Sequence, residues 1–346
     1  MSIDNVSKVS LACLPTPFHE LSNLSKELGG PRIFVKRDDL TGLGFGGNKV
    51  RKIEYLMDEV IRTGCDYIIT GAFVQSNWCT AAAAAARRLG LGVVLVKEGP
   101  ENLGPEEAQG NHLLHLMLGA EVHIVGPGRA ETKKAEIAED LCKKGHRPCV
   151  LAVGGSDSLG SYAYIEAVRE VVEQAAAIGI SPNYLVHASG SGGTQAGTVI
   201  GAKLYGNNLK VVCSSTGSRP KSDGEALVRR LIAETTQRFN IAISLSDDDV
   251  TIHDQYAGGY GHVTKPKLEA IDLLARTEGL FLDPVYSGSG MACLIDMVRS
   301  GAFEQDSVVV FMHTGGQAGI FPYANPLHAA ANGKEPSWTI PPWHAH

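Results

Sequence analysis

The chain has 346 residues, enough for a large buried core and, because single cores stop growing near ~250–300 residues, for two domains. A net charge of −6 with both signs interspersed leaves no basic stripe for nucleic acid and no polybasic helix for a membrane surface. Seven scattered cysteines without a C-x-x-C pair argue against a disulfide framework or a zinc site, and residues 1–17 carry no charged segment followed by an apolar one, so the expectation is a cytosolic protein with reduced thiols.

The first strong signal along the chain is Gly44-Phe45-Gly46-Gly47-Asn48-Lys49, a glycine turn leading straight into a lysine. From Ile53 the apolar residues Ile53, Leu56, Met57, Val60 and Ile61 fall at helical spacing, which puts Lys49 at the N-terminal end of a helix. A cation there opposes the helix dipole, and Arg51 and Lys52 add like charge. Both effects lower the amine pKa, and a neutral lysine is a nucleophile. A solvated basic turn after a glycine loop is the other reading of the same residues.

Next come a strand at 67–70, an alanine-rich helix at 78–89, a strand at 92–96, a helix opened by Pro105 and ending at Gly119, and a strand at 121–125. A polar amphipathic helix at 130–144, a strand at 149–153 and a longer helix from Tyr162 follow. The second half reads as a strand at 184–188, a helix around 196–204, a strand at 209–214, a helix at 219–240, an irregular stretch at 244–261, a helix at 265–278 and a strand at 307–313. The tail from Lys334, with Pro336, Pro341 and Pro342, reads as extended. Strands alternating with helices are the pattern of a parallel sheet built from βαβ units, so the class is α/β.

Between the strand at 184–188 and its following helix lies Ser189-Gly190-Ser191-Gly192-Gly193-Thr194, whose backbone N–H groups and helix dipole suit a phosphate. It is neither a nucleotide P-loop nor the dinucleotide fingerprint, and a tight strand-to-helix turn is its structural alternative. A third loop, Gln75-Ser76-Asn77, offers a hydroxyl and an amide for a carboxylate or a ring oxygen, or simply a helix cap. An activated lysine plus a phosphate cradle is what pyridoxal phosphate chemistry needs: an amine for the Schiff base and an anchor for the phosphate.

Taken with Gly110-Asn111-His112-Leu113-Leu114, Asp283-Pro284-Val285-Tyr286 and His313-Thr314-Gly315-Gly316, these loops resemble the aminocyclopropane-carboxylate deaminase and D-cysteine desulfhydrase family, in the family's order over about residues 14–316. These are fold-type-II pyridoxal phosphate enzymes similar to the tryptophan synthase β chain. The resemblance implies two open, twisted, mostly parallel sheets with flanking helices. It also implies a larger cofactor domain of residues 1–53 and 162–346, a smaller α/β domain of 54–161, and a homodimer. By the same resemblance Lys49 carries the cofactor and moves the substrate's Cα proton, and Asn77 bonds the ring 3-hydroxyl. Ser76 holds the substrate carboxylate or assists proton transfer, and Gly190, Ser191, Gly192, Gly193 and Thr194 bind the phosphate. Tyr260 and Tyr286 line the substrate pocket.

Ser287 and Thr314 match the desulfhydrase pattern beside the ring nitrogen, where the deaminases have a glutamate after the tyrosine. A neutral hydroxyl leaves the ring a weaker electron sink, which implies β-elimination from a small amino acid such as D-cysteine. The alternatives are ring opening of 1-aminocyclopropane-1-carboxylate, a lyase for cysteate or another β-substituted alanine, and a cofactor-binding protein with little turnover. Two residues depart from the family: Trp78, followed by Cys79, stands where histidine is usual, and Ser289 where lysine is usual. The indole either reshapes the pocket or packs in the core. Cys79 reads as a buried thiol, and His112 and His115 as a solvated helix face rather than metal ligands.

Overall fold

The computed structural model describes residues 6–100, 103, 108–337 and 339–340. The chain enters through β1 (Phe18–Glu20), α1 (Ser22–Leu28), β2 (Arg32–Lys36) and α2 (Asn48–Arg62). It continues through β3 (Tyr67–Phe73), α3 (Asn77–Arg88), β4 (Gly92–Glu98), α4 (Gly110–Met117), β5 (Glu121–Val125), α5 (Ala130–Lys143) and β6 (Pro148–Val150). After α6 (Ser158–Ala177) come β7 (Tyr184–Ser189), α7 (Gly193–Tyr205), β8 (Lys210–Ser215), α8 (Lys221–Phe239) and β9 (Ile252–His253). The chain closes with α9 (Lys265–Glu278), α10 (Ser287–Arg299), β10 (Val308–Met312) and α11 (Ala324–Ala331). None of these helices is long and apolar enough to cross a membrane.

The strands form two sheets. One has the order β5-β4-β3-β6 and is parallel throughout; the other has the order β1-β2-β10-β7-β8-β9 and is parallel except for β1. Parallel neighbours need long crossovers, which the helices supply. Central β10 reads Val-Val-Val-Phe-Met and is buried along its whole length, as a strand covered on both faces must be. Val309 lies opposite both Ile33 and Tyr184, so early and late parts of the chain meet in one sheet while β3 to β6 form an excursion between them. In that excursion, Ala81 to Ala86 are all buried, and their small side chains let α3 lie close to β3, β4 and α2. Close approach also explains Gly71, where an added Cβ would lie 1.8 Å from the carbonyl oxygen of Val96.

Most of the predicted elements are present, with shifted ends. Helix α2 starts at Asn48 and α6 at Ser158, where the Asp157 carboxylate accepts from the Gly160 N–H at 2.7 Å. The helix expected to open at Pro105 runs from Gly110, and Pro105 lies outside the described residues, as do Pro341 and Pro342. The strand expected at 149–153 stops at Val150, and Val153–Gly155 is a 3₁₀ turn. Six further elements, β1, α1, β2, β9, α10 and α11, lie outside the predicted set. Strand β2 has charged residues at both ends, β9 lies inside the stretch read as irregular, and α10 opens on Ser-Gly-Ser-Gly, which has poor helix propensity. Gly290 earns its place by packing, since a Cβ there would lie 3.1 Å from the backbone nitrogen of Ala188 on β7.

A buried ionic cluster joins β2, α2 and α6. Arg51 on α2 donates to both carboxylate oxygens of Asp38 at 2.8 Å and to both of Glu170 at 3.0 and 2.9 Å. The Tyr164 hydroxyl donates to Asp38 at 2.7 Å, and the Lys36 ammonium bonds Glu170, the Gln174 side chain and the Thr16 carbonyl. Burial raises Asp38 and Glu170, but the Arg51 guanidinium, together with Lys36 and, at Asp38, the Tyr164 hydroxyl, outweighs it and holds both carboxyls below their ordinary range. Their ionised forms therefore stabilise the fold above the unfolded carboxyl pKa of ~4, and that contribution is lost as pH falls through the lower folded values. Asp38→Ala, which leaves the buried Arg51 guanidinium with Glu170 as its remaining carboxylate, should cost roughly 3 kcal/mol in chemical denaturation at neutral pH. The cost relative to wild type should shrink in acid, and an undiminished difference at pH ~3 would exclude the ionic origin.

Candidate active site

A pocket opens where the two sheets face each other, at the carboxyl ends of parallel strands, the usual position for ligands in open α/β sheets. Its walls come from the start of α2, the β3–α3 loop, the β7–α7 loop, the β8–α8 loop, Tyr260, Tyr286 and the turn after β10.

Lys49 is delivered by a forced turn. Gly46 and Gly47 have φ of +72° and +107°, and a Cβ on Gly46 would lie 2.1 Å from the Asp39 carbonyl oxygen, so only glycine fits. The Asn48 N–H then donates to the Thr314 carbonyl at 3.0 Å, which ties the helix start to the turn after β10. Lys49 Nζ lies 3.2 Å from the Gly154 carbonyl oxygen, and burial lowers its pKa to about 8. The expected lowering is present, but its cause is burial. Arg51 takes no part, because it points to the opposite side of α2 into the ionic cluster, and Lys52, as acceptor of a hydrogen bond from the Lys49 ammonium, acts on Lys49 in the raising direction.

Lys52, one turn on, is fully buried, with Nζ 3.3 Å from Ser156 Oγ and 3.4 Å from the Gly154 oxygen. A Cβ on Gly193 would lie 2.8 Å from this amine and 2.7 Å from Ser156 Oγ, so Lys52 and Ser156 crowd the glycine loop at the start of α7. Ser156 Oγ is also 2.7 Å from Ser191 Oγ, and Asn48 Nδ2 donates to Thr194 Oγ1 at 3.0 Å. Hydroxyls, N–H groups and an amine gather here, which suits a phosphate, while the nearby Asp157 carboxylate is turned to the Gly160 N–H at the start of α6. Lys52 and Ser156 were not read as part of this cradle. The local signal for Ser156 was Gly154-Gly155-Ser156 after a strand, the same glycine-then-hydroxyl pattern as the loop it faces.

Of the residues singled out from sequence, Lys49, Ser76, Asn77, Gly190, Ser191, Gly192, Thr194, Tyr260, Tyr286 and Thr314 line this pocket. Gly193 and Ser287 do not. Gly193 lies at the base of its loop, and the Ser287 hydroxyl, fully buried, donates to Asp283 Oδ1 at 2.6 Å while accepting from the Asp283 N–H at 2.8 Å. Ser76 caps α3, its Oγ accepting from the Cys79 N–H at 3.3 Å. The Tyr260 and Tyr286 hydroxyls are 2.6 Å apart, and burial raises both phenols, so they are neutral at ordinary pH.

Trp78 is buried, with its Nε1–H donating to Thr70 Oγ1 at 2.8 Å and its ring edge against Gly155. Its indole packs in the core and meets the pocket as a wall. Cys79 is a fully buried thiol whose pKa burial raises. The expected solvated face at His112 and His115 is corrected: both rings are buried and turn inward to Lys97 on β4.

The fold and this donor-rich pocket around a deprotonatable lysine define a fold-type-II enzyme that uses pyridoxal phosphate. The chain belongs to the pyridoxal-phosphate dependent enzyme family, whose model matches residues 9–315. It is 37% identical over 334 residues to a D-cysteine desulfhydrase of Klebsiella pneumoniae, covering 93% of this chain and 99% of the relative. It is 36% identical over 323 residues to a Pyrococcus abyssi protein provisionally assigned as a 1-aminocyclopropane-1-carboxylate deaminase, covering 92% and 94%. The crystal structure of an ACC deaminase homologue superposes with a TM-score of 0.86 at 33% identity, over 95% of this chain and 97% of that one.

The lowered amine pKa is directly measurable. In cofactor-free protein, labelling of Lys49 by a small amine-reactive reagent, followed by mass spectrometry, should rise with pH and reach half its plateau near about 8. A midpoint at the ordinary lysine value of ~10.4 would show that burial does not perturb it.

Proposed function

We propose that this chain is a D-cysteine desulfhydrase-like lyase that carries out β-elimination on a small amino acid, releasing pyruvate, ammonia and a leaving group such as sulfide. Pyridoxal phosphate supplies the electron sink for the carbanion at Cα. Lys49 anchors the cofactor and, as an amine with a pKa of about 8, takes the Cα proton. The loop Gly190 to Thr194, with Lys52 and Ser156 behind it, binds the phosphate. Ser76 and the free N–H groups of the first turn of α3 hold the substrate carboxylate. The Tyr260–Tyr286 pair stays protonated and donates toward the departing β-substituent.

The observation that carries elimination over ring opening is the absence of Asp and Glu from the lining among the described residues. No pocket carboxylate is at hand to keep the ring nitrogen protonated, and Thr314 offers only a hydroxyl there. Ser287, proposed as a second hydroxyl for that nitrogen, would first have to exchange its bond to Asp283. A weaker sink suits a substrate with a good leaving group. Lys49 and Arg219 are the charged lining residues, and Arg219 has no ion pair among the described residues, which favours a β-substituent that leaves as an anion, sulfide or the sulfite of cysteate. Ring opening of 1-aminocyclopropane-1-carboxylate is the second reading, favoured by the names of the Pyrococcus abyssi relative and the solved neighbour.

The same proposal includes a larger cofactor domain of residues 1–53 and 162–346 and a smaller domain of 54–161, supported by the two separate sheets. It includes a cytosolic setting, supported by seven unpaired cysteines, and a homodimer, which size-exclusion chromatography tests. Wild-type protein supplied with cofactor should show a visible absorption band, and Lys49→Ala should lose it together with at least roughly 10³-fold of turnover. Pyruvate release should be screened over D- and L-cysteine, β-chloroalanine, D-serine, cysteate and aminocyclopropane-carboxylate. Turnover of the last alone would overturn the elimination reading, and a visible band without turnover of any would mark a cofactor-binding protein.

A further inference from the structure

Behind the β3–α3 loop lies a buried lysine with no acidic partner among the described residues. Lys97 Nζ is fully buried on β4, 2.5 Å from His112 Nδ1, 3.2 Å from His115 Nδ1 and 3.4 Å from the Val74 carbonyl oxygen. Burying a cation without a counter-ion is costly, so its neighbours repay inspection. An ammonium only donates, which makes His115 Nδ1 an acceptor and puts the ring proton on Nε2. That nitrogen faces Thr80 Oγ1 at 3.0 Å and the Ser76 carbonyl oxygen at 3.2 Å, and a carbonyl can only accept, which demands the same tautomer independently.

Thr80, sharing the single Nε2 proton of His115 with the Ser76 carbonyl, turns its own hydrogen to Asn111 Oδ1 at 2.7 Å. Asn111 then directs Nδ2 to the Gln75 carbonyl oxygen at 3.2 Å and to Asn77 Oδ1 at 2.8 Å. A backbone carbonyl checks the direction of donation at His115 (Ser76) and again at Asn111 (Gln75). With its Oδ1 turned to Asn111, Asn77 directs its N–H donors to the pocket it lines. A flipped Asn77 would set two NH₂ groups against each other.

We propose that Lys97, His115, Thr80 and Asn111 are positioning residues that form a one-way hydrogen-bond chain, holding the Asn77 amide so that it presents a donor, never an acceptor, to the pocket. The site therefore selects an anionic ring oxygen at that point. This rests on the pyridoxal phosphate reading, in which Asn77 meets the ring 3-oxygen and the chain favours its deprotonated form. Burial lowers Lys97 to about 8, which leaves it mostly charged at neutral pH, as the first donor must be.

The test is the ratio of the visible band, from the deprotonated ring oxygen, to the near-ultraviolet band, from the protonated one, in cofactor-loaded protein at pH 7. Thr80→Val keeps the shape but breaks the relay, and should lower the ratio roughly tenfold, as for loss of one good hydrogen bond. Thr80→Ser should restore the wild-type ratio. Asn111→Asp, which accepts from Asn77 and turns its oxygen to the pocket, should lower the ratio at least as far and weaken cofactor binding in fluorescence titration. If Thr80→Val fails to fold, Asn111→Asp carries the test alone. Wild-type ratios in Thr80→Val or Asn111→Asp, with cofactor bound, would overturn the relay and leave the enzyme reading intact. Absence of any cofactor band in wild-type protein would overturn both.

Discussion

The arrangement depends on one helix whose two sides carry opposite electrostatic assignments. On one side of α2, Arg51 is locked between Asp38 and Glu170, with Lys36 completing a buried set of two cations and two anions. On the other side, Lys49 and Lys52 are three residues apart and so on one face; Lys49 lines the pocket and Lys52 lies behind its glycine loop, and neither amine has a carboxylate within bonding distance among the described residues. The paired charges hold the helix in place, and the unpaired amines are what it presents. Buried ion pairs contribute little net stability, but breaking one is expensive, so the cluster serves better as a register lock than as glue.

Parallel topology does the rest. Because β3, β7, β8 and β10 run in the same sense within their sheets, their carboxyl ends deliver loops to common edges, and the helices that follow begin with N–H groups unsatisfied. A cleft between two such edges is rich in donors before any side chain is considered. The side chains extend the bias: Asn48, Lys52, Ser156 and Thr194 gather around the glycine loop, and none of them is an acid. Such a site accommodates a phosphate and a carboxylate at once, which an amino acid bound beside a phosphorylated cofactor requires.

The buried lysines show how environment separates structure from chemistry. Lys36 has Glu170, and Lys267 donates at 2.8 Å to each of the carbonyls of Ala257 and His262; both brace loops. Lys49 has one carbonyl at 3.2 Å and open pocket beyond it. Lys97 has two imidazoles and a carbonyl, and its donor sense is passed toward the pocket through Thr80 and Asn111. The residue type is the same in all four; its partners decide whether the amine braces a loop, faces open pocket or heads a chain of hydrogen bonds.

Sequence by itself determined the strand–helix alternation, the position of Lys49 at a helix start, and the glycine loops that receive it, because periodicity and left-handed glycine turns are local. The motifs that carried the family resemblance identified most of the lining for the same reason. What only the tertiary structure decided was which neighbour each side chain meets. Helical spacing puts Lys49 and Lys52 on one face, but it does not say that Gly193, some 140 residues on, closes over Lys52, nor that Asp38 and Glu170 draw Arg51 away. Helical spacing alone suggests a solvated face at His112 and His115, yet Lys97 lies behind them, and Ser287, expected beside the ring nitrogen, is held by Asp283. Burial and hydrogen-bond direction are set by segments far apart in the chain, so the pKa of Lys49 and the orientation of Asn77 belong to the folded molecule.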